Sequence, residues 1–368
     1  MSPEFQARLL DPPLQTADLP GIGGRTRMRP EDFVVHEIPA YGPDGRTGAH
    51  LLFTLRKRCI GTEDAIVELS RQTGIPRPEI GLAGLKDKDA VTEQWLTVPF
   101  AAGPRLAEFS HPAITLGPPA PHGNKLRRGH LHGNRFSLAV RGLAVPGDEA
   151  HTRVAAKAAK LAELGGLDNL YGNQRLGNDG GNLRRGLELL ANGVRRGKAD
   201  FLLSAGQSAL FNLYLLERRA RGLMRTVLLG DILKKTATGG LFESREPEVD
   251  QARLDSGELG ITGPMFGSKM RGPSPDTAAG ALEQEILDHA GISPEALKAL
   301  GSKVEGTRRP LQLPTLDLQV ELADAEGPFP AGLRLHFALP AGSYATVLLQ
   351  ELQGPFAPEP GTSAPAPQ

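Results

Sequence analysis

Cysteine is all but missing from this chain of 368 residues: Cys59 stands alone, so neither an intrachain disulfide nor a cysteine-built zinc site can form. A free, buried thiol is the expectation for it. Aromatic residues are scarce at 5%, and Trp95 is the single tryptophan, which argues against a sugar cleft walled by rings. No apolar run approaches the ~18–20 residues of a membrane span. The opening residues, MSPEFQARLLDPPLQT, lack the basic start and apolar stretch of an export signal, so a cytoplasmic protein is expected. Neither charge dominates, since 42 basic side chains meet 42 acidic ones. That weighs against a strongly basic nucleic-acid coat but leaves a local basic surface open. Cofactor signatures are missing too. No glycine run continues into G-K-[ST], no G-x-G-x-x-G follows a strand and opens a helix, and His130 and His132 lack metal-ligand spacing. Neither a cofactor nor a metal is expected.

Glycine (45) and proline (31) are plentiful and punctuate the chain into elements. Residues 31–38, 50–57 and 94–100 read as strands, and in NRFSLAVR (134–141) Phe136, Leu138 and Val140 alternate with more polar positions. A helix is predicted from Thr62 as N-cap to Gly74, with Ala65, Ile66 and Leu69 on one face. Helical spacing takes over after Gly147, at 151–164, 182–192, 206–221 and 291–301, the last with Ser293 as cap and Pro294 in first position. Alternation returns in Leu316, Leu318, Val320 and Leu322, then in Leu333, Leu335, Phe337 and Leu339. This order predicts an α+β protein. A mixed or antiparallel sheet domain would be built from both chain ends, at 1–165 and 310–353, with a largely helical α/β domain inserted at 166–309. Residues 271–279 read as an exposed loop and the Pro/Ala-rich 354–368 as a disordered tail. Basic doublets recur at Arg127–Arg128, Arg184–Arg185, Arg195–Arg196, Arg218–Arg219 and Arg308–Arg309, and would make a phosphate track only by converging. No assembly motif is visible, so a monomer is the expectation.

The segment GLAGLKDKDAVTEQW, residues 81–95, sets one carboxylate, Asp87, between Lys86 and Lys88 in a glycine-flanked turn. Gly81 and Gly84 let a backbone pass close to a ligand, and flanking cations suit an ionised carboxylate nucleophile. Charge pattern alone reads more readily as an exposed turn. The whole segment, however, resembles the signature A-G-x-K-D-x-x-A-x-T-x-Q of the TruD-type tRNA pseudouridine synthases, matched by Ala83, Gly84, Lys86, Asp87, Ala90, Thr92 and Gln94. The resemblance extends along nearly the whole chain. RMRPEDFVVHEI (27–38) is similar to a family strand that usually reads K-x-x-P-E-D-F, with Arg27 where lysine is typical and Phe33 at a substrate-contacting position. HGNKLRRGHLHGNRF (122–136) resembles a basic loop that leads into a G-N-x-F strand, and places Asn134 and Phe136 on the same side. NLYGNQRLGNDGGNLRRG (169–186) and SALFNLYLLERR (208–219) resemble the inserted domain. Gln174 and Arg175 are kept there, while Leu170 and Leu176 replace aromatics. FALPAGSYATVLLQEL (337–352) resembles a strand-to-helix segment carrying the substrate-contacting Phe337, with Ser343 as cap.

This resemblance implies a pseudouridine synthase catalytic domain with an insertion, Asp87 as nucleophile and uridine 13 of tRNA as target. Phe33, Phe136 and Phe337 would wall a pocket for the flipped base, Asn134 would read its edge, and Arg27 would stand beside Asp87. Lys86, Gln174 and Arg175 would contact RNA. Detaching uracil and rejoining it through C5 needs no redox step, in keeping with a sequence without cofactor motifs. A carboxylate can attack C6 of the base or engage C1′ of the sugar, and the sequence does not choose. Two other classes remain in view. A two-carboxylate nucleoside or glycoside hydrolase would use Asp87 with Asp89 or Glu93, and an RNA-binding module would keep the fold without turnover.

Overall fold

The computed structural model describes residues 3–43, 45, 48–177, 179–193, 199–314 and 316–354. The chain forms two compact units, each drawn from separate stretches. One comprises Met1–Ala17, Lys160–Thr315 and Thr346–Glu351, and the other Asp18–Ala159, Leu316–Ala345 and Leu352–Gln368. Residues 1–17, read from sequence with the sheet domain, thus group with the helical unit. The predicted disordered tail lies outside the described residues from 355 onward.

The fold is α+β, as the alternating segments predicted. Six strands of the second unit form the body of a mixed sheet: β1 (Phe33–Pro39), β2 (His50–Arg58), β3 (Val91–Pro99), β4 (Leu131–Arg141), β5 (Gln319–Ala323) and β6 (Gly332–Pro340). They run in the order β5–β6–β4–β1–β3–β2, and the short strand Ile114–Leu116 continues the sheet beyond β2. Gly81–Leu82 pairs with β3 and Ala120–His122 with β2. β1 and β3 are parallel, and the other pairs are antiparallel. Register decides what meets. Val35 stands opposite Phe136, Phe136 opposite Phe337, and Glu37 opposite Asn134. Because alternate residues share a face, Phe33, Val35, Glu37, Asn134, Phe136 and Phe337 all project to one side. Edge strand β5 departs from expectation: its apolar register leaves Leu322 65% exposed.

Helix α1 (Thr62–Thr73) closes part of the core, with Ala65, Ile66 and Leu69 packed in a cluster with Leu51, Phe53 and Leu96. It ends on Gly74 at φ 66°, the left-handed conformation that glycine adopts without penalty. Its start differs from the predicted cap. Gly61 is the N-cap, Thr62 is already helical, and no side chain caps the first turn. Ser343 is likewise displaced from its expected cap position, because the last helix begins at Ala345.

In the first unit, helix Asp200–Ala220 is buried along most of its length. It lies against helix Gly181–Asn192 so closely that a Cβ on Gly206 would stand 2.7 Å from the Gly186 backbone. The predicted cap of helix Pro294–Ala299 is in place, with Ser293 Oγ accepting the Ala296 amide at 3.1 Å. Helix Ala278–Ala290 and strands Ile232–Lys235 and Leu259–Met265 have no counterpart in the sequence reading. The last, LGITGPM, carries two glycines and a proline that mask its strand character.

Candidate active site

The connection from Leu82 to Val91, where Asp87 lies, is held by side chains of α1 and three strands. Lys57, near the end of β2, donates from Nζ to the carbonyls of Ile60 (2.7 Å) and Asp87 (2.6 Å), with that of Lys86 at 3.4 Å. Thr62 of α1 accepts the Lys86 amide at 2.9 Å and donates to Gln94 Oε1 at 2.9 Å. Gln94 of β3 donates in turn to the Gly84 carbonyl at 3.1 Å. Lys86 forms a buried ion pair with Glu37 of β1 at 2.5 Å, and Glu37 also accepts the Trp95 amide. The backbone is therefore pinned at Gly84, Lys86 and Asp87, while the Asp87 side chain stays 38% exposed. A fixed backbone carrying an accessible carboxylate is what a positioned nucleophile needs.

Charge and rings converge on that carboxylate. Arg27 Nη2 donates to Asp87 Oδ2 at 2.7 Å, and Nη1 to the Asp89 carbonyl at 3.1 Å. Arg27 has φ 58°, a left-handed conformation costing a non-glycine residue roughly 1–2 kcal/mol. Its guanidinium lies 3.4 Å from the centroid of the Phe33 ring. Phe33 meets Phe136 edge-on at 6.4 Å, and Phe136 stacks on Phe337 at 5.2 Å and 21°. The three rings are 2%, 7% and 3% exposed, so in this state they are closed against one another. Asn134 sits two residues before Phe136 in β4, and its buried Oδ1 has no hydrogen-bond partner among the described residues. Burial pushes the Lys57 ammonium down to about 8, against the pull of the Asp87 carboxylate.

Five residues singled out from sequence, Asp87, Arg27, Phe33, Phe136 and Phe337, are thus brought into one array. Lys86 is not available to RNA as expected, because its side chain is 6% exposed and committed to Glu37. Gln174 and Arg175 belong to the other unit, in the short helix Asn173–Leu176. Gln174 is exposed, and Arg175 bonds Ser204 and lies 5.1 Å from the Phe201 ring. Leu170 and Leu176 are buried, so packing accounts for apolar residues there. Arg218 and Arg308 are scaffold cations, each paired at 2.6 Å, with Asp231 and Glu283 respectively. Arg195 and Arg196 lie outside the described residues. Cys59, expected to be buried, is exposed at φ 54°.

Sequence reasoning missed Lys57, Glu37 and the hydroxyl role of Thr62. A signal existed for the first two. Lys57 continues the inward register of Leu51, Phe53 and Leu55, and Glu37 that of Phe33 and Val35, so each is a charge where alternation calls for an apolar residue. The two-carboxylate alternative loses support from geometry. Glu93 alternates with Thr92 and Gln94 onto the other face of β3 and lies 3.4 Å from His36, while Asp89 offers Arg27 a backbone carbonyl.

The chain is similar to known proteins along nearly its whole length. The profile of the family "tRNA pseudouridine synthase D (TruD)" matches residues 12–196 and 192–352. A tRNA pseudouridine synthase D of Anaeromyxobacter sp. (strain Fw109-5) is 45% identical over 353 residues, covering 94% of this chain and 96% of that one. Its counterpart in Thermus thermophilus (strain ATCC BAA-163) is 41% identical over 362 residues, covering 97% and 96%. The crystal structure of a putative tRNA pseudouridine synthase D from Methanosarcina mazei has the same fold, with a TM-score of 0.74 at 22% identity over 96% of this chain and 98% of that one.

Proposed function

Since the chain belongs to the tRNA pseudouridine synthase D (TruD) family, and so isomerises uridine in tRNA to pseudouridine, we propose that its target is uridine 13 and that Asp87 is the nucleophile. The observation that carries this reading is the accessible Asp87 carboxylate, ion-paired with Arg27 at 2.7 Å beside the Phe33–Phe136–Phe337 array.

The target uridine must first leave its stack, at a cost of a few kcal/mol. Aromatic stacking returns ~1–3 kcal/mol per base, so a ring face near Asp87 offsets much of that cost. The planar Arg27 guanidinium now covers the Phe33 face, where a flat pyrimidine would lie. Entry of the base exchanges this cation–π contact for stacking, while Arg27 stays within reach of Asp87. The unpartnered Asn134 Oδ1 accepts the uracil N3–H. Asp87 then forms a bond to C6 of the base or to C1′ of the ribose, and the N1–C1′ glycosidic bond breaks. The turned base rejoins C1′ through C5 as the bond to Asp87 is released, the C5 proton leaving and N1 gaining one. One carboxylate serves either route. The enzyme acts in the cytoplasm as a monomer on this reading and needs no cofactor.

The test is direct. Asp87→Asn should abolish pseudouridine formation on an unmodified tRNA transcript while RNA affinity stays within a few-fold of wild type. Carbodiimide mapping of that transcript should place the wild-type product at position 13. Turnover by the Asn variant would remove Asp87 as nucleophile, and a product elsewhere would overturn the position.

A further inference from the structure

Within the sheet unit, Tyr41, Pro43, His122, Lys125, Arg127 and His130 line a cleft of about 720 Å³. It adjoins the segment that carries Asp87. The Gly129 amide donates to the Ala83 carbonyl at 2.9 Å, and the Ala40 amide to the His130 carbonyl at 3.3 Å. At Gly81 a Cβ would stand 2.6 Å from the Leu126 carbonyl, so only glycine lets the two segments approach this closely. The cleft is therefore anchored four residues upstream of Asp87 and at the end of β1.

Its chemistry is that of a nucleotide site. Tyr41 is 52% exposed in a chain with few aromatics, and its ring is braced edge-to-face against His130 at 5.3 Å. Arg127 is exposed on the same cleft, and next to it Arg128 is 77% exposed with Glu63 at 4.0 Å. A half-exposed, braced tyrosine beside exposed cations suits a splayed base and its phosphate, the two parts by which single-stranded RNA is held. An apolar protein partner would leave the arginines without a match.

We infer that this cleft is a second nucleotide subsite of the substrate tRNA, in which an unpaired base stacks on Tyr41 while its phosphate meets Arg127. The inference rests on tRNA being the substrate and not on Asp87 being the nucleophile. RNA binding and turnover therefore fail separately.

Fluorescence anisotropy with an unmodified tRNA transcript, run over a salt series, tests it. Tyr41→Ala should weaken binding about ten-fold with an unchanged salt slope, and Tyr41→Phe should bind within two-fold of wild type. Arg127→Gln should reduce the slope of log Kd against log salt by about 1. Ultraviolet cross-linking of the wild-type protein, mapped by peptide mass, should attach RNA at Tyr41 and needs no variant to fold. Binding by Tyr41→Ala within two-fold of wild type, an equal loss in Tyr41→Phe, an unaltered slope in Arg127→Gln, or cross-links confined to other peptides would each overturn the subsite.

Discussion

An ammonium that serves three carbonyls needs all three of its N–H bonds, and Lys57 has the carbonyls of Ile60, Lys86 and Asp87 in reach. Burial brings its pKa from 10.5 to about 8. The neighbouring Lys86 charge pushes the same way, and the Asp87 charge opposes it. Between about 8 and 10.5 an unfolded Lys57 keeps a proton that the folded one releases, so its contribution to folding improves as pH rises through that window. Below it, the folded state carries the full cost of a buried charge. Function runs the other way, because a neutral amine has one donor fewer for the segment that bears Asp87. Wild-type kcat should fall as pH passes about 8, and Lys57→Met should be slower throughout without that alkaline limb. An unchanged limb in the variant would assign it to another group.

Helix α1 works at its first residue as well as along its apolar face. Thr62 starts the helix, yet its hydroxyl bridges the Lys86 amide and Gln94, while Gly61 leaves the first turn without a side-chain cap. Thr62→Val keeps the shape and removes the hydroxyl, stranding both partners at a cost of about 1–3 kcal/mol. Denaturant midpoints should fall accordingly, and kcat should drop more than affinity for tRNA, since the variant loosens the Asp87 segment and not the RNA surface. That a helix begins near this threonine is readable from its position before an apolar period, though the sequence made it the cap and not the first helical residue. Which partner the hydroxyl takes is not, because the Lys86 amide arrives from a connection 24 residues later.

Within the helical unit an early and a late segment of the chain meet at residues 15–16 and 351. Glu351 is buried and accepts the Gln15 amide (2.7 Å), the Thr16 amide (3.1 Å) and the Thr16 hydroxyl (2.8 Å). Removing this carboxylate leaves three donors unmet, the two of Thr16 buried and the Gln15 amide part-buried. Glu351→Ala should therefore lose about 3 kcal/mol, seen as a lower denaturant midpoint at unchanged m-value. Faster amide exchange at Gln15 and Thr16 should accompany it. Residues 1–17 show neither helical nor strand period strong enough to declare this attachment, so proximity in sequence grouped them with the sheet domain.

Local chemistry settled much in advance. Alternation in 33–39, 131–141 and 332–340 makes a half-buried sheet, and the run from Ala83 to Gln94 carries the family and its aspartate, because period and motif are properties of neighbouring residues. Tertiary structure decided what depends on register and long-range approach. It set Phe136 on Phe337, brought Arg27 to Asp87 across 60 residues, and turned Lys86 from a surface cation into the buried partner of Glu37. A charge's partner is chosen by three-dimensional distance and desolvation, and neither is written in the spacing of residues along the chain.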